Sequence, residues 1–301
     1  MKRKIKKFSP TFFFKKTFLI TLFFSESFSQ SINTEIHFLD NNPPPFWISS
    51  NNNGIYSKGS IINFNISEEL KILNYGGEII FPLNQIKKPF FNQAYLRLNK
   101  DNFYFQIGKK SNHLKSNHLS SGSLVESVNA TPISKILISN INYNKISFSK
   151  FEFQYLVKFA HGWINSSEYI INPYLHEKTL RIKKEISEES FLEIGLDHMA
   201  IWAGETIQHG KQPSRLSDFF RIMFALPGGS NSINQEQKNS LGNHLGAWTF
   251  SFEKKYESKV LNLYFEHPFE DESGARWILN KFDGLYGLNI SQKESRYISN
   301  F

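Results

Sequence analysis

Three groups of side chains in this chain have the types and spacing to do chemistry, and all three suit a polyhydroxylated ligand. Asp197, His198 and Trp202 stand close together, His244 and Trp248 form a second group, and Glu266, His267, Glu270, Asp271, Glu272 and Arg276 form a third. Carboxylates, imidazoles and a guanidinium exchange hydrogen bonds with hydroxyls. An indole packs on the apolar C–H face of a ring, so the combination is apt for sugar. Other chemistries find less support. His113 and His118 are five apart, without the i, i+4 helical spacing of a zinc hydrolase. Glu270-Asp271-Glu272 lacks the spaced oxygen ligands and central glycine of a calcium loop. Glycoside hydrolysis needs two carboxylates at a defined separation, and spacing alone selects no pair. No nucleophile elbow, phosphate loop or dinucleotide fingerprint occurs. The chain has no cysteine, which excludes a disulfide scaffold and thiolate chemistry. No metal or cofactor is expected.

The elements that must position these residues read as strands. Asn92 to Leu98 and Phe103 to Lys109 alternate apolar and polar side chains across the turn-rich Asn99-Lys100-Asp101-Asn102, the pattern of a hairpin. Ile133 to Asn140 pairs with Lys145 to Lys158, Glu177 to Lys184 with Ser190 to Ala200, and Ala247 to Glu253 with Leu261 to Glu266. Each hairpin has a short turn. Between hairpins lie longer polar segments, roughly 110–132, 159–175 and 201–243. Strict alternation of short and long connections is expected of an antiparallel transmembrane β-barrel, whose periplasmic turns are short and external loops long. One long loop carries a helical pattern, with Ser214 as the expected cap. Leu216, Phe219, Phe220, Met223 and Phe224 form its apolar stripe, which must pack on the barrel rim or its lumen. Asp218 sits in its first turn, where a negative charge favours the helix dipole.

The N-terminus sets the compartment. Lys2, Arg3, Lys4, Lys6, Lys7, Lys15 and Lys16 precede the apolar run Phe18–Phe24 and the small-residue exit Ser27-Phe28-Ser29-Gln30, the order of a Sec-type signal peptide too short to span a membrane. Residues 1–30 are therefore expected to be cleaved, leaving 31–301. That removes seven basic residues and one acid, so 28 basic and 26 acidic residues remain and the net charge falls from +8 to +2, no footprint for nucleic acid. Aromatics make up 16% of the chain while mean hydropathy is only −0.38. A barrel reconciles the two, because its strands need apolar residues only at alternate positions.

Scattered motifs then carry a resemblance. FWISSNNNG at 46–54, SSGSLVESVNA at 120–130, YLHEK at 174–178 and GLDHMAIWAG at 195–204 resemble the Wzi capsule-assembly family of Bacteroidetes-type bacteria. So do SDFFRIMF at 217–224, NSLGNHLGAW at 239–248, HPFEDESG at 267–274 and DGLYGL at 283–288. The resemblance implies an outer-membrane barrel of about eighteen strands with a lectin-like surface in a Gram-negative bacterium. It implies capsular or extracellular polysaccharide and outer-membrane lipid as partners, and no enzyme. Only about eleven or twelve strands can be counted in the chain, so a C-terminally truncated barrel is expected. The polysaccharide-binding candidates are Asp197, His198, Trp202, His244, Glu266, His267, Glu270, Asp271 and Arg276. Two alternatives stay open: a porin-like channel lined by Glu152, Gln154, Lys158, Thr249 and Glu253, and an outer-membrane enzyme acting on glycan or lipid.

Overall fold

The computed structural model describes residues 31–38, 46, 50, 52–55, 59–83, 88–111, 122–146, 152–270, 272–276, 281–292 and 298–300. The expected signal peptide, His113, His118 and Asp271 lie outside these residues. In chain order the strands are β1 (Ser31–His37), β2 (Ile61–Glu69), β3 (Leu73–Pro82), β4 (Phe90–Lys100), β5 (Phe103–Lys109), β6 (Ser134–Asn140) and β7 (Asn144–Lys145). They continue as β8 (Phe153–Trp163), β9 (Ile170–Ile171), β10 (Tyr174–Ser187), β11 (Ser190–Trp202), β12 (Glu205–Thr206), β13 (Gly210–Lys211) and β14 (Asn243–Lys255). The last three are β15 (Lys259–Phe269), β16 (Leu285–Gln292) and β17 (Ile298–Asn300). One antiparallel sheet follows this order from β1 to β17. It omits β9, β12 and β13, which form a small sheet of their own, and β7, which only flanks β8. Among the described residues its path has thirteen strands, β1 and β17 are its edges, and it does not close on itself.

The asymmetry of the connections is as the alternation predicts. Asp101 and Asn102 alone link β4 to β5, Glu188 and Glu189 link β10 to β11, and Tyr256 to Ser258 link β14 to β15. Asp101 takes the left-handed conformation (φ 54°) that a tight hairpin demands and that a short polar side chain tolerates. The described parts of segments 110–133 and 270–284, and segment 203–242, lie at the opposite end. Several boundaries differ from the sequence reading: the strand expected over Lys145 to Lys158 is divided into β7 and β8, which pair with each other, and β14 and β15 extend beyond the expected 247–253 and 261–266. β8 runs on to Trp163 and β10 already starts at Tyr174, so the connection expected over 159–175 is only 164–173. Phe159, His161 and Trp163 continue the alternation there, with Gly162 between them accepted against Ser134 and Lys135 of the neighbouring strand.

Register divides the chemistry between two faces, because successive side chains on a strand point opposite ways. The row Tyr155, Ile182, Ile194, Phe250, Phe265 and Tyr286 crosses six strands on one face. The next row, Gln154, Lys183, Glu193, Ser251, Tyr264 and Gly287, belongs to the other. On the apolar face Leu96, Phe105, Ile107, Ile136, Ile138, Leu180 and Leu263 stay exposed. An apolar exterior with a polar interior is the pattern of a barrel wall in lipid.

The sheet is strongly curved. The backbone of Val128 accepts a hydrogen bond from Asn53, which lines a pocket with Asn63 and Asn65 of β2, while Leu124 donates to the Glu266 carboxylate on β15. Nine strand spacings of about 4.8 Å would set those strands ~43 Å apart if flat. The segment from Leu124 to Val128 reaches ~14 Å at most. Only a sheet curled around its polar face lets one short loop touch both.

Among the described residues, three helices that can be traced end to end lie in the long connections: α1 (Leu216–Met223), α2 (Asn234–Lys238) and α3 (Glu272–Ala275). α1 packs on the apolar face at the long-loop end. Phe219 contacts Phe159, His161, His176 and Trp202, and Ile222 joins Ala200, Trp202, Ala203 and Leu241 in a sealed cluster. The expected stripe is corrected in part: Phe219 packs, but Leu216, Phe220 and Phe224 face outward, and Ile222 is the fully buried residue. Arg215, not Ser214, is the cap residue; its backbone N–H is met by the buried Asp218 carboxylate at 2.9 Å. Gly242 (φ 82°) lies so close to Ile201 and Ile222 that any side chain would collide. Ile222→Ala is expected to cost the seating of this loop about 2–4 kcal/mol. Proteolysis within 203–242 should accelerate while unfolding of the sheet is unchanged; equal protection of the loop in both proteins would refute the assignment.

Candidate functional site

The polar face concentrates its charges on β6, β8, β10, β11 and β15. Lys135 and Lys158 meet Glu177 at 2.6 and 3.6 Å, and Glu126 from loop 122–130 meets the same lysines at 3.6 and 3.3 Å. All but Glu126 are almost fully buried. One strand further, the Arg181 guanidinium lies 2.6 Å from Asp197, whose other oxygen accepts from Thr179 at 2.8 Å. Gly195 makes that pair possible, since a Cβ there would stand 2.4 Å from Arg181 Cδ and 2.5 Å from Thr249 Oγ1. Two lysines facing two carboxylates balance in charge, which is what makes burial tolerable.

Toward the short-turn end the polar face opens into a groove of about 270 Å³ lined by Tyr143, Arg181, Lys183, Phe191, Glu193, Glu253, Asn262, Tyr264 and Glu266, among others. Tyr143 donates to the Glu193 carboxylate, and burial first, then that negative charge, hold its phenol above the usual range. Lys183 and Lys255 each lie 4.5 Å from the Phe191 ring centroid, within cation–π reach. Tyr264 lies across Gly287, where a Cβ would fall 1.9 Å from its ring. The groove thus offers carboxylates, amide, ammonium and guanidinium groups beside aromatic rings, the set that reads sugar hydroxyls and ring faces.

The sequence-predicted residues share an end of the sheet but not a face. Asp197 and Glu266 are on the polar face, in the ion network and against loop 122–130 respectively. His198, Trp202 and His244 are on the apolar face. His198 Nε2 and His244 Nδ1 are 2.9 Å apart, His244 Nε2 is 2.7 Å from Leu241 O, and Trp202 is in the cluster under α1. His267 is fully buried, its ring nitrogens 3.1 and 3.2 Å from the carbonyl oxygens of Asp283 and Gly274. Trp248 donates to Ala275 O at 3.1 Å, so the third group of the sequence reading folds over its own strand. Glu270 and Arg276 are exposed in that loop. Of the residues expected to line a lumen, Gln154, Lys158, Thr249 and Glu253 lie on the polar face by register, while Glu152 precedes β8 with a left-handed backbone (φ 54°). Among the described residues no group of three His, Cys, Asp or Glu is placed to hold a metal.

Glu126, Lys135, Glu177, Arg181 and Tyr264 were not singled out by sequence. For the four on strands the signal was present as charged or polar residues at alternate positions of apolar strands; Glu126 lies in a loop and carried none. Lys158→Met leaves Glu126 and Glu177 short of a counter-charge and is expected to cost about 3–5 kcal/mol. Adding Glu126→Gln should recover part of that loss in urea unfolding of the micelle-bound protein; a neutral Lys158→Met would show that the network is solvated.

Comparison with known proteins follows the same lines. No curated protein sequence matches the chain. Two solved structures resemble it. One is Wzi of Escherichia coli, described as an outer-membrane protein involved in group 1 capsule assembly and a carbohydrate-binding β-barrel. It matches with a TM-score of 0.57 and 12% identity, over 95% of this chain and 57% of that one. The other is the outer-membrane channel DcaP of Acinetobacter baumannii, with a TM-score of 0.30 and 11% identity, over 90% and 91% of the two chains; it carries no argument. This chain therefore has the fold of a Wzi barrel wall and spans 57% of the length of that structure. The family model for capsule assembly protein Wzi matches residues 12–295, and the chain belongs to that family.

Proposed function

We propose that this protein is an outer-membrane barrel that binds capsular or extracellular polysaccharide and holds it at the cell surface, without cleaving it. The observation that carries this reading is the groove on the polar face, where Tyr264 and Glu266 stand beside Arg181, Lys183 and Glu193; it lies toward the short-turn end, so it would hold the polymer inside the wall while the long-loop end meets it outside. Export through the N-terminal signal and a wall of apolar side chains in lipid complete the picture. Glu266 and the Asp197–Arg181 pair form the inner wall. Glu270, Asp271 and Arg276 supply outer contacts from the 270–284 loop. His198, Trp202, His244 and His267 act through the loops they hold rather than by touching ligand. Each contact is weak, and repetition along a polymer raises the total because every later contact is effectively intramolecular. The channel reading is less well supported, since loop 122–130 crosses the polar face from Asn53 to Glu266.

Binding of purified capsular polysaccharide to the detergent-solubilised chain, followed by calorimetry, tests the proposal. Tyr264→Ala is expected to weaken binding about two- to tenfold, the worth of one aromatic contact, and Glu266→Gln to weaken it similarly. Polysaccharide that fails to bind the unaltered protein, or binds both variants equally, would remove the groove as the site.

A further inference from the structure

Among the described residues only the Phe219 ring, 6.1 Å from that of Phe220, meets an aromatic on the outward side of α1. Leu216, Phe220 and Phe224, spaced i, i+4 and i+8, are 73%, 49% and 62% exposed, and spacing of four aligns them along one side of the helix. The opposite side is committed: Asp218 and Ile222 are buried, and Phe219 packs on strand residues. Which surface of the sheet lies beneath is fixed by register. His161 pairs with Ile136 and His176, and Ile136 with Ile107, so the helix sits on the exposed apolar face, not over the polar groove. Its stripe therefore continues outward from a face already apolar down to Leu180, Ile182 and Ile194. Trp163 is half exposed on this face and at this end, where an indole marks a bilayer boundary. Exposed Lys211 and Arg215 stand at the helix N-terminal side, placed to meet anionic headgroups.

We propose that α1 is an interfacial anchor whose Leu216–Phe220–Phe224 side lies in the outer leaflet. It fixes loop 203–242 against the lipid surface beside the barrel wall. A short helix with one apolar side and cations beside it lies in the interface plane rather than crossing it. The inference rests on the outer-membrane reading above. Without it the same stripe would be an exposed hydrophobic patch on a soluble protein.

The chain has no cysteine, so single nitroxide labels can be placed cleanly. Phe220→Cys, Ile194→Cys on the wall and Glu270→Cys in the other loop are labelled in the full chain reconstituted into phosphatidylcholine–phosphatidylglycerol vesicles. Collision with oxygen and with a water-soluble nickel chelate is then measured by power-saturation resonance. The expected result is that position 220 resembles 194, with oxygen collisions exceeding nickel collisions severalfold and a shallower depth, while 270 is aqueous. Position 220 as open to nickel as 270, with 194 in lipid, overturns the anchor and spares the barrel. An aqueous signal at 194 overturns the outer-membrane reading and the anchor with it. Spin–spin broadening at 220 that vanishes on dilution with unlabelled protein overturns the anchor in favour of a second copy.

Discussion

Side chains one residue apart on these strands look in opposite directions, and the register carries that division across the sheet, broken where a bulge brings both Asn92 and Gln93 to the Glu78 carboxylate. Each backbone group in a ladder is satisfied by its neighbour strand, which is what lets a sheet stand between two unlike surroundings. The consequence at each position is binary. Asp197 reaches a guanidinium, and the adjacent His198 reaches another histidine beneath a loop. Leu180 meets the apolar side while Arg181 meets a carboxylate. A one-residue slip would exchange every such pair, driving Lys158, Glu177 and Arg181 outward, so the charged network itself opposes alternative registers.

The network also explains why loop 122–130 lies where it does. Lys135 and Lys158 come from adjacent strands and would share one carboxylate, Glu177, were Glu126 not brought down to them. Leaving one of these charges uncompensated in a buried position costs several kcal/mol. Pairing holds the loop against the polar face, and the Leu124–Glu266 hydrogen bond ties it to the far side of the groove. The seat of the loop is therefore a product of that charge balance, and the loop reaches the groove at Glu266.

Much of the wall could be read from the chain. Phe103, Phe105 and Ile107 against Tyr104 and Gln106 give the period and the face, and the contrast of Asp101-Asn102 with 203–242 gives the asymmetry. What escaped the reading has physical causes. Gly162 looks like a strand breaker but serves a close approach inside a continuing strand. The helical stripe was counted by periodicity alone, and periodicity cannot say that Ile222 rather than Phe220 or Phe224 would find the sheet. The candidate site was legible as composition and not as geometry. Asp197, His198 and Trp202 are near one another in the chain, yet alternation separates the first from the other two by the thickness of the sheet. Glu266 answers to a partner that only the curvature of the whole sheet brings within reach, and Glu126 lies in a loop that no strand pattern marks.

That curvature has a kinetic corollary. The carbonyl of Val128 and the amide of Leu124 are held by partners on either side of them in the chain, at Asn53 and at Glu266. The second partner is 142 residues away, and closing so long a separation comes late when a chain folds from local contacts outward. The ion pairs of Glu126 can form once β8 is in place, but the loop cannot latch until β15 has joined. The polar groove thus stays open on one side until that strand is in place.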